Sequence, residues 1–180
     1  EAPSAFCCVR PPGHHAERAA AMGFCFFNNV AVGIRHAVTE LGVQRVALID
    51  FDVHHGNGSE DIFQGDERVL MCSIFESGIY PFSGDNAKGA NMVNVGLPSR
   101  SGSDAFRAAV TNRWIPALDA FAPELIYISA GFDGHREDDM GNLGLVDADY
   151  EWVTQQIMAV AQRHCKGRVI SCLEGGYALN

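Results

Sequence analysis

The residues with the clearest chemical potential lie in the segment Asp50-Phe51-Asp52-Val53-His54-His55-Gly56-Asn57-Gly58, which follows the apolar residues 46–49. In an extended chain, side chains at positions i, i+2 and i+4 share one face. Asp50, Asp52 and His54 are therefore predicted to point the same way. Two carboxylates and an imidazole on one buried face need a cation to balance their charge. A divalent metal is the simplest such cation, and a strand edge with solvated charges is the alternative.

Three other groups follow turn-forming sequences. His14 and His15 come directly after Pro-Pro-Gly, and Tyr177 follows Gly-Gly. Asp133 follows an apolar segment that ends in Ala-Gly-Phe. The histidine pair offers a general base and a general acid. The tyrosine offers a hydrogen-bond donor for a developing oxyanion.

A mononuclear hydrolytic metal site needs about three protein ligands and one open position for water. Asp52, His54 and Asp133 can supply these ligands. Such a set is compatible with zinc, while iron, cobalt and manganese remain open.

Apolar segments that alternate with amphipathic ones must position these groups. The pattern predicts strands at 6–9, 46–54, 69–74, 125–128 and 168–173, and helices at 30–41, 104–121 and 147–164. The residues between 75 and 103 are predicted to be mostly loop, with brief pairing at 92–95, and Pro116 is predicted to kink or restart its helix. This alternation predicts an α/β domain with a parallel sheet. Ligands of such sheets bind beyond the carboxyl ends of the strands, where these groups fall.

Composition sets further bounds. The chain has 180 residues, 47% of them hydrophobic and 19% charged, which is typical of a globular domain. A net charge of −9 argues against direct nucleic-acid binding. No window approaches the roughly 18 apolar residues of a membrane span. The six cysteines form no CxxC pair, which favours a reducing, cytoplasmic location. The composition is compatible with a homo-oligomer as well as with a monomer.

Five motifs occur in order along nearly the whole chain: Arg10-Pro11-Pro12-Gly13-His14-His15-Ala16, Gly23-Phe24-Cys25, Asp50 to Gly58, Ala130-Gly131-Phe132-Asp133 and Glu174-Gly175-Gly176-Tyr177. Together they resemble the histone deacetylase family, which includes bacterial histone-deacetylase-like amidohydrolases and acetylpolyamine amidohydrolases. The resemblance implies a three-layer, arginase/deacetylase-like α/β fold. Its central parallel sheet has helices on both faces, and its site lies at the carboxyl ends of the strands. Family catalytic domains are longer, so residues 1–180 are expected to be the central part of a single catalytic domain truncated at both ends.

The resemblance also implies the roles of individual residues. Asp52, His54 and Asp133 match zinc ligands, and Tyr177 matches the residue that polarises the substrate carbonyl. His15 matches the general base, with Asn57 as its partner in the class II-like pattern. His14 matches the second active-site histidine, oriented by Asp50. Asp50 and Ser73 also match a potassium site.

Four residues match substrate-binding positions: Gly23, Phe24, Tyr80 and Gly176. Phe24 and Tyr80 would line a narrow acyl-lysine channel, where Tyr80 replaces the more usual phenylalanine. Glu174 is expected to be structural. His135 and Arg136, beside Asp138 and Asp139, are interpreted most simply as a loop salt-bridge cluster.

The resemblance implies zinc-dependent hydrolysis of an acyl amide, with acetylated lysine or an acetylated polyamine as substrate. Two alternatives remain at this point. An arginase-like dimanganese ureohydrolase would bind two metals, and a non-catalytic acyl-lysine binding module would need neither His14, His15 nor Tyr177.

Overall fold

A fully parallel, six-stranded sheet is the centre of the fold in a computed structural model, which describes residues 3–179. The strands are β1 (Ser4–Cys7), β2 (Val46–Asp50), β3 (Val69–Glu76), β4 (Met92–Leu97), β5 (Leu125–Ala130) and β6 (Val169–Leu173). Their spatial order is β1-β6-β5-β2-β3-β4. The helices are α1 (Asn29–Thr39), α2 (Asn57–Phe63), α3 (Ser103–Ala109), α4 (Ile115–Phe121) and α5 (Asp147–Cys165).

Helices cover both faces of the sheet, because the central strands carry apolar side chains on both sides. Ala47 and Ile49 of β2 pack with α3, α4 and α5 in one core. Val46 and Leu48 of the same strand pack with α1 and Phe63 of α2 in the other. The predicted three-layer α/β architecture is thereby confirmed.

Local sequence accounts for the helix boundaries. The Asn28 side chain accepts a hydrogen bond from the Ala31 backbone N–H at 3.0 Å and so caps α1. The helix predicted over 104–121 is interrupted by a π-helical turn at Val110–Trp114, and α4 begins with Pro116 in its first turn. No helix within residues 3–179 combines the length and apolar character that a membrane crossing requires.

The outer strands differ most from the sequence prediction. The strand predicted as buried at 6–9 is Ser4–Cys7, and its Phe6 is 56% exposed because β1 lies at the edge of the described sheet. The brief pairing predicted at 92–95 is the six-residue strand β4. Asn94 and Gly96, two residue types that are depleted in strands, interrupt its apolar residues and weaken the strand signal.

Candidate metal and acid–base site

The predicted site residues converge where β2, β5 and β6 end. Asp50 at the end of β2 lies opposite Ser129 of β5, and Ala130 of β5 lies opposite Leu173 of β6. The segments that leave these strands enclose a cavity of about 320 Å³. Its lining residues are Pro12, His14, His15, Gly23, Phe24, Asp52, His54, Tyr80, Asp133, Met140, Gly175 and Tyr177.

The strand itself stops earlier than the sequence suggested. β2 ends at Asp50, and Asp52 and His54 lie in the bend that follows, so the predicted extended conformation up to His54 is wrong. The side chains still separate as expected. Asp52 and His54 line the cavity, whereas His55 lies on the other side, 2.9 Å from Ser83 Oγ.

The three predicted metal ligands form one buried group. Asp52, His54 and Asp133 each offer a ligand atom, and these atoms lie within 4.8 Å of one another. His54 Nδ1 lies 3.0 Å from Asp52 Oδ1 and 3.2 Å from Asp133 Oδ2. The remaining carboxylate oxygens are oriented by backbone amides, since Gly175 N–H donates to Asp52 and Val53 N–H to Asp133.

The surroundings of this group fit a metal ion. Asp133 Oδ2 is buried and makes no hydrogen bond among the described residues. A Cβ atom added at Gly131 would lie 2.2 Å from Asp52 Oδ2, and one at Gly175 would lie 2.1 Å from Asp133 Oδ2. The two glycines therefore leave the carboxylates the room that a side chain would take. Two carboxylates and one imidazole form a donor set suited to zinc and similar divalent metals.

The electrostatics of the group call for positive charge. Burial alone would lower the pKa of His54, but the adjacent carboxylates of Asp133 and Asp52 raise it to about 10. Burial, together with the negative charge of Asp52, raises the pKa of Asp133 to about 6. Both shifts reflect the closeness of two buried carboxylates, and a bound cation would favour their charged forms.

His14 pairs with a buried carboxylate, as the resemblance implied. His14 Nδ1 lies 3.0 Å from Asp50 Oδ2, and His14 Nε2 lies 3.6 Å from Asp52 Oδ1. Burial opposes the charged imidazole, but the charges of Asp52, Asp50 and Glu174 raise the pKa of His14 well above its ordinary value. This side chain is suited to carry a proton at neutral pH.

His15 has the opposite character. Its Nδ1 lies 2.7 Å from Asn57 Oδ1, while Asn57 Nδ2 donates to Glu17 Oε1 at 2.7 Å. Because the Glu17 carboxylate fixes the orientation of the amide, Asn57 presents an acceptor to His15, and Nδ1 must carry the ring proton. Nε2 is therefore left with a lone pair. Burial, followed by the charge of His14, lowers the pKa of His15 to about 3.

Glu174 fixes the loop that carries the two histidines. One oxygen of its buried carboxylate accepts the backbone N–H groups of Gly13 and His14 at 2.6 and 3.1 Å. The other oxygen accepts the Ser129 hydroxyl at 2.9 Å. The sequence suggested a structural role for Glu174 but not these partners, because the groups that donate to its carboxylate lie up to 161 residues away in the chain.

Tyr177 lies on the segment after β6 and lines the cavity beside Phe24, with ring centroids 6.4 Å apart. Burial, with the charges of Asp52 and Asp133, raises the pKa of Tyr177, so its hydroxyl remains protonated at neutral pH. The guanidinium of Arg10 lies 5.5 Å from the centroid of the Tyr177 ring.

The loop at 135–139 differs from its predicted role. Asp138 accepts hydrogen bonds from the backbone N–H groups of Tyr177 and Ala178. Among the described residues it forms no ion pair with His135 or Arg136, so the predicted salt-bridge cluster is wrong for Asp138. Backbone amides satisfy this carboxylate in place of a cationic side chain.

Three of the residues predicted to bind substrate, Gly23, Phe24 and Tyr80, line the cavity. Tyr80 packs against His15, with ring centroids 5.1 Å apart, and Phe24 is 66% exposed at the rim. Gly23 has φ +56°, and an added Cβ would lie 2.3 Å from the His15 ring. Gly175 lines this cavity, whereas Gly176, the predicted substrate-binding residue, lines a neighbouring one.

Asp50 and Ser73, the predicted potassium ligands, are partners on adjacent parallel strands. Ser73 Oγ is buried and makes no hydrogen bond within the described residues. A buried hydroxyl of this kind needs a partner, and a monovalent cation held by oxygen atoms would supply one.

The fold and the site define an α/β protein with a buried Asp52–His54–Asp133 group, suited to a metal ion, beside two histidines and a tyrosine. The sequence profile of the histone deacetylase domain matches residues 1–180. The chain belongs to the histone deacetylase family.

Similar proteins come from several lineages. The chain is 44% identical to type-2 histone deacetylase 2 of Dictyostelium discoideum over 97% of its length, which is 11% of that protein. It is 40% identical to a histone deacetylase-like amidohydrolase of Pseudomonas aeruginosa, over 99% of this chain and 49% of that one. A probable deacetylase of Archaeoglobus fulgidus is 36% identical, over 99% of this chain and 51% of that one.

A solved structure agrees with these comparisons. The crystal structure of the HDA15 HD domain superposes with a TM-score of 0.89 at 35% identity, over 99% of this chain and 53% of that one. The chain thus spans about half, or less, of the length of the relatives it matches.

Proposed function

We propose that this chain contains the reaction centre of a zinc-dependent deacetylase that hydrolyses the acetyl amide of lysine or of a related amine. The observation that carries the proposal is the neutral His15, whose free Nε2 shares a cavity with the Asp52–His54–Asp133 group. A base and a metal group in one cavity are the two parts that amide hydrolysis by water requires. The name and family of the relatives support the same reaction.

Each side chain has a distinct part in this mechanism. Bound zinc would polarise the amide carbonyl and lower the pKa of water to about 7. His15 Nε2 accepts the proton of the attacking water. The Tyr177 hydroxyl donates to the carbonyl oxygen as negative charge develops on it. His14, charged beside Asp50, stabilises that charge and donates its own proton to the departing amine as the C–N bond breaks.

The shape of the cavity supports a linear acyl-amine substrate. Phe24 and Tyr80 lie at its opening, beside Tyr177 and His15, and provide flat apolar walls for a methylene chain. The net charge of −9 suits a cationic protein segment or polyamine.

We further propose that residues 1–180 form the central part of one catalytic domain and that Asp50 and Ser73 hold potassium. The six cysteines are free thiols, which supports a cytoplasmic location.

The test compares Tyr177→Phe with the unchanged full-length protein, assaying an acetyl-lysine peptide and acetylputrescine in parallel. We expect Tyr177→Phe to fold and keep its metal but to lose about 10²–10³ in kcat. Turnover of only one substrate would identify the substrate class. Binding of both compounds without any release of acetate would establish a binding module and overturn the proposal. Two essential metals per chain would favour the ureohydrolase alternative.

A further inference from the structure

The backbone of Tyr177 is held by a group outside its own segment. Residues 174–179 form no regular secondary structure, and Gly176 has φ +131°. Glycine has the largest freedom of any residue in its backbone dihedrals. The direction of the Tyr177 side chain therefore depends on the contacts that fix the chain on either side of Gly176.

Before Gly176, the segment is tied to the metal group. Gly175 N–H donates to Asp52 Oδ2 at 2.8 Å, and Gly175 carbonyl accepts from Phe132 N–H at 2.9 Å. After Gly176, one carboxylate oxygen holds the chain. Asp138 Oδ2 accepts from Tyr177 N–H at 2.6 Å and from Ala178 N–H at 3.0 Å.

Asp138 is itself rigidly placed. It is 6% exposed, its Oδ1 accepts from Met140 N–H at 3.0 Å, and its own N–H donates to the His135 carbonyl at 2.9 Å. Met140 lines the reaction cavity with Tyr177. Asp138 thus links the turn that carries the tyrosine to the loop that follows the metal-binding residue Asp133.

We propose that Asp138 is a positioning residue that holds the Tyr177 hydroxyl against the substrate carbonyl. This inference rests on the proposed function, because it acts through the role of Tyr177. Both oxygens of Asp138 accept backbone N–H bonds, so an asparagine there would have to turn its NH₂ group toward one of these donors. Asp138→Asn therefore loosens the turn while hardly changing the size of the side chain.

The experiment is a double-mutant cycle on the metal-loaded full-length protein. Asp138→Asn is made in the unchanged protein and in Tyr177→Phe, and kcat, KM and metal content are measured with an acetyl-lysine peptide. Asp139→Asn is the matched control, since this neighbouring carboxylate is exposed. Hydrogen exchange of the peptide that spans residues 174–179 gives a readout independent of activity.

We expect Asp138→Asn to lower kcat about 10- to 100-fold, the scale of a misplacement of about 1 Å. KM and metal content should remain unchanged, and amide exchange at 177–178 should become faster. In the Tyr177→Phe background the same substitution should leave kcat unaltered, because no hydroxyl remains to be positioned. Asp139→Asn should change none of these quantities.

Different failures lead to different conclusions. An equal loss of kcat in both backgrounds, or no loss in the unchanged protein, overturns the role of Asp138 alone. If Tyr177→Phe keeps full turnover, the proposed role of Tyr177 fails, and the positioning role fails with it. If Asp138→Asn yields too little folded protein, Asp138→Ser, which keeps one short acceptor, takes its place in the same cycle.

Discussion

At the scale of single residues, two adjacent histidines differ because their partners differ. His14 faces the carboxylate of Asp50, whereas His15 faces the amide oxygen of Asn57. A carboxylate stabilises the imidazolium by charge, and an amide orients the ring without adding charge. The pKa of His14 is raised and that of His15 is lowered to about 3. His14 thus holds its proton among the charges of Asp52, Asp50 and Glu174, whereas burial and the charge of His14 make His15 a proton acceptor.

A charge swap at Asn57 tests this separation. Asn57→Asp alone would place its carboxylate against Glu17, which now accepts from Asn57 Nδ2 at 2.7 Å. The double substitution Glu17→Gln/Asn57→Asp keeps a hydrogen bond between the two positions, with the amide donor at position 17 and the carboxylate acceptor at position 57. The new carboxylate should raise the pKa of His15. Because the neutral ring is the active form, the acidic limb of the kcat/KM profile should move to higher pH.

Glu17→Gln alone is the control, since it keeps the amide at position 57. It should leave the acidic limb in place. An acidic limb that is the same in all three proteins would mean that His15 is not the base that limits kcat/KM.

At the scale of elements, close packing between α2 and the histidine loop fixes the distance between them. Gly58 and Ser59 at the start of α2 donate their backbone N–H groups to the His14 carbonyl at 3.0 and 3.2 Å. A Cβ atom added at Gly58 would lie 2.3 Å from the Ala16 carbonyl oxygen. Only glycine lets the two backbones approach this closely.

Gly58→Ala should therefore force the histidine loop away from α2. We expect a loss of about 1–3 kcal/mol in the free energy of unfolding, the usual cost of overpacking. Denaturant unfolding measures this change. Gly144→Ala is the control, because the nearest atom to its added Cβ is 3.8 Å away. Equal stability of the two variants would show that the loop accommodates the methyl group.

A second contact between elements joins α3 to the start of α5. Asp149 accepts from Ser103 Oγ at 2.7 Å, Arg107 Nε at 2.8 Å and Val146 N–H at 3.1 Å. Burial opposes the charge of Asp149, but these hydrogen bonds lower its pKa. A lowered pKa in the folded state stabilises the protein above the ordinary aspartate pKa, and this stabilisation is lost as pH falls through the folded value.

Asp149→Asn should therefore lower the free energy of unfolding at pH 7 by about 1–3 kcal/mol, the range for charged hydrogen bonds. The difference from the unchanged protein should narrow as the pH falls below about 4. Thermal unfolding at a series of pH values measures this difference in stability. The exposed neighbour Asp147 provides the control Asp147→Asn. A difference that stays constant down to pH 2 would contradict the ionic role of Asp149.

At the scale of the whole molecule, the Asp52–His54–Asp133 group joins segments that follow neighbouring strands but lie far apart in the chain. Asp52 and His54 follow β2, and Asp133 follows β5. A ligand that binds only the folded state stabilises it in proportion to the logarithm of its concentration. One zinc ion per chain should therefore raise the Tm of the metal-free protein.

Asp133→Ala should abolish that rise in Tm and reduce bound zinc, measured by elemental analysis, to a small fraction of one equivalent. The control Asp139→Ala removes an exposed carboxylate in the same loop and should retain both the bound zinc and the zinc-dependent rise in Tm. A zinc-dependent Tm shift that survives Asp133→Ala would show that the metal binds elsewhere.

Much of this arrangement could be predicted from the sequence, because the strands are apolar segments and the site residues stand in short motifs directly after them. The proximity of Asp52 and His54 follows from their spacing, and that of Asp133 from the shared edge of parallel strands. The contacts of Glu17, Asp138 and Glu174 could not be predicted. Asp138 and Glu174 accept hydrogen bonds from backbone N–H groups distant in the chain, and Glu17 accepts one from the Asn57 side chain. Such pairs leave no periodic signal in the sequence.

The order of the strands also bears on biosynthesis. β6 lies between β1 and β5, so the first strand of the described chain has no neighbour to pair with until the last one has been made. The histidine loop in turn waits for Glu174, which binds it across 161 residues. Such long-range contacts form late, while the chain emerges from the ribosome from its N-terminus onward. The nascent chain therefore lacks a complete acid–base site until nearly all of residues 3–179 have left the exit tunnel.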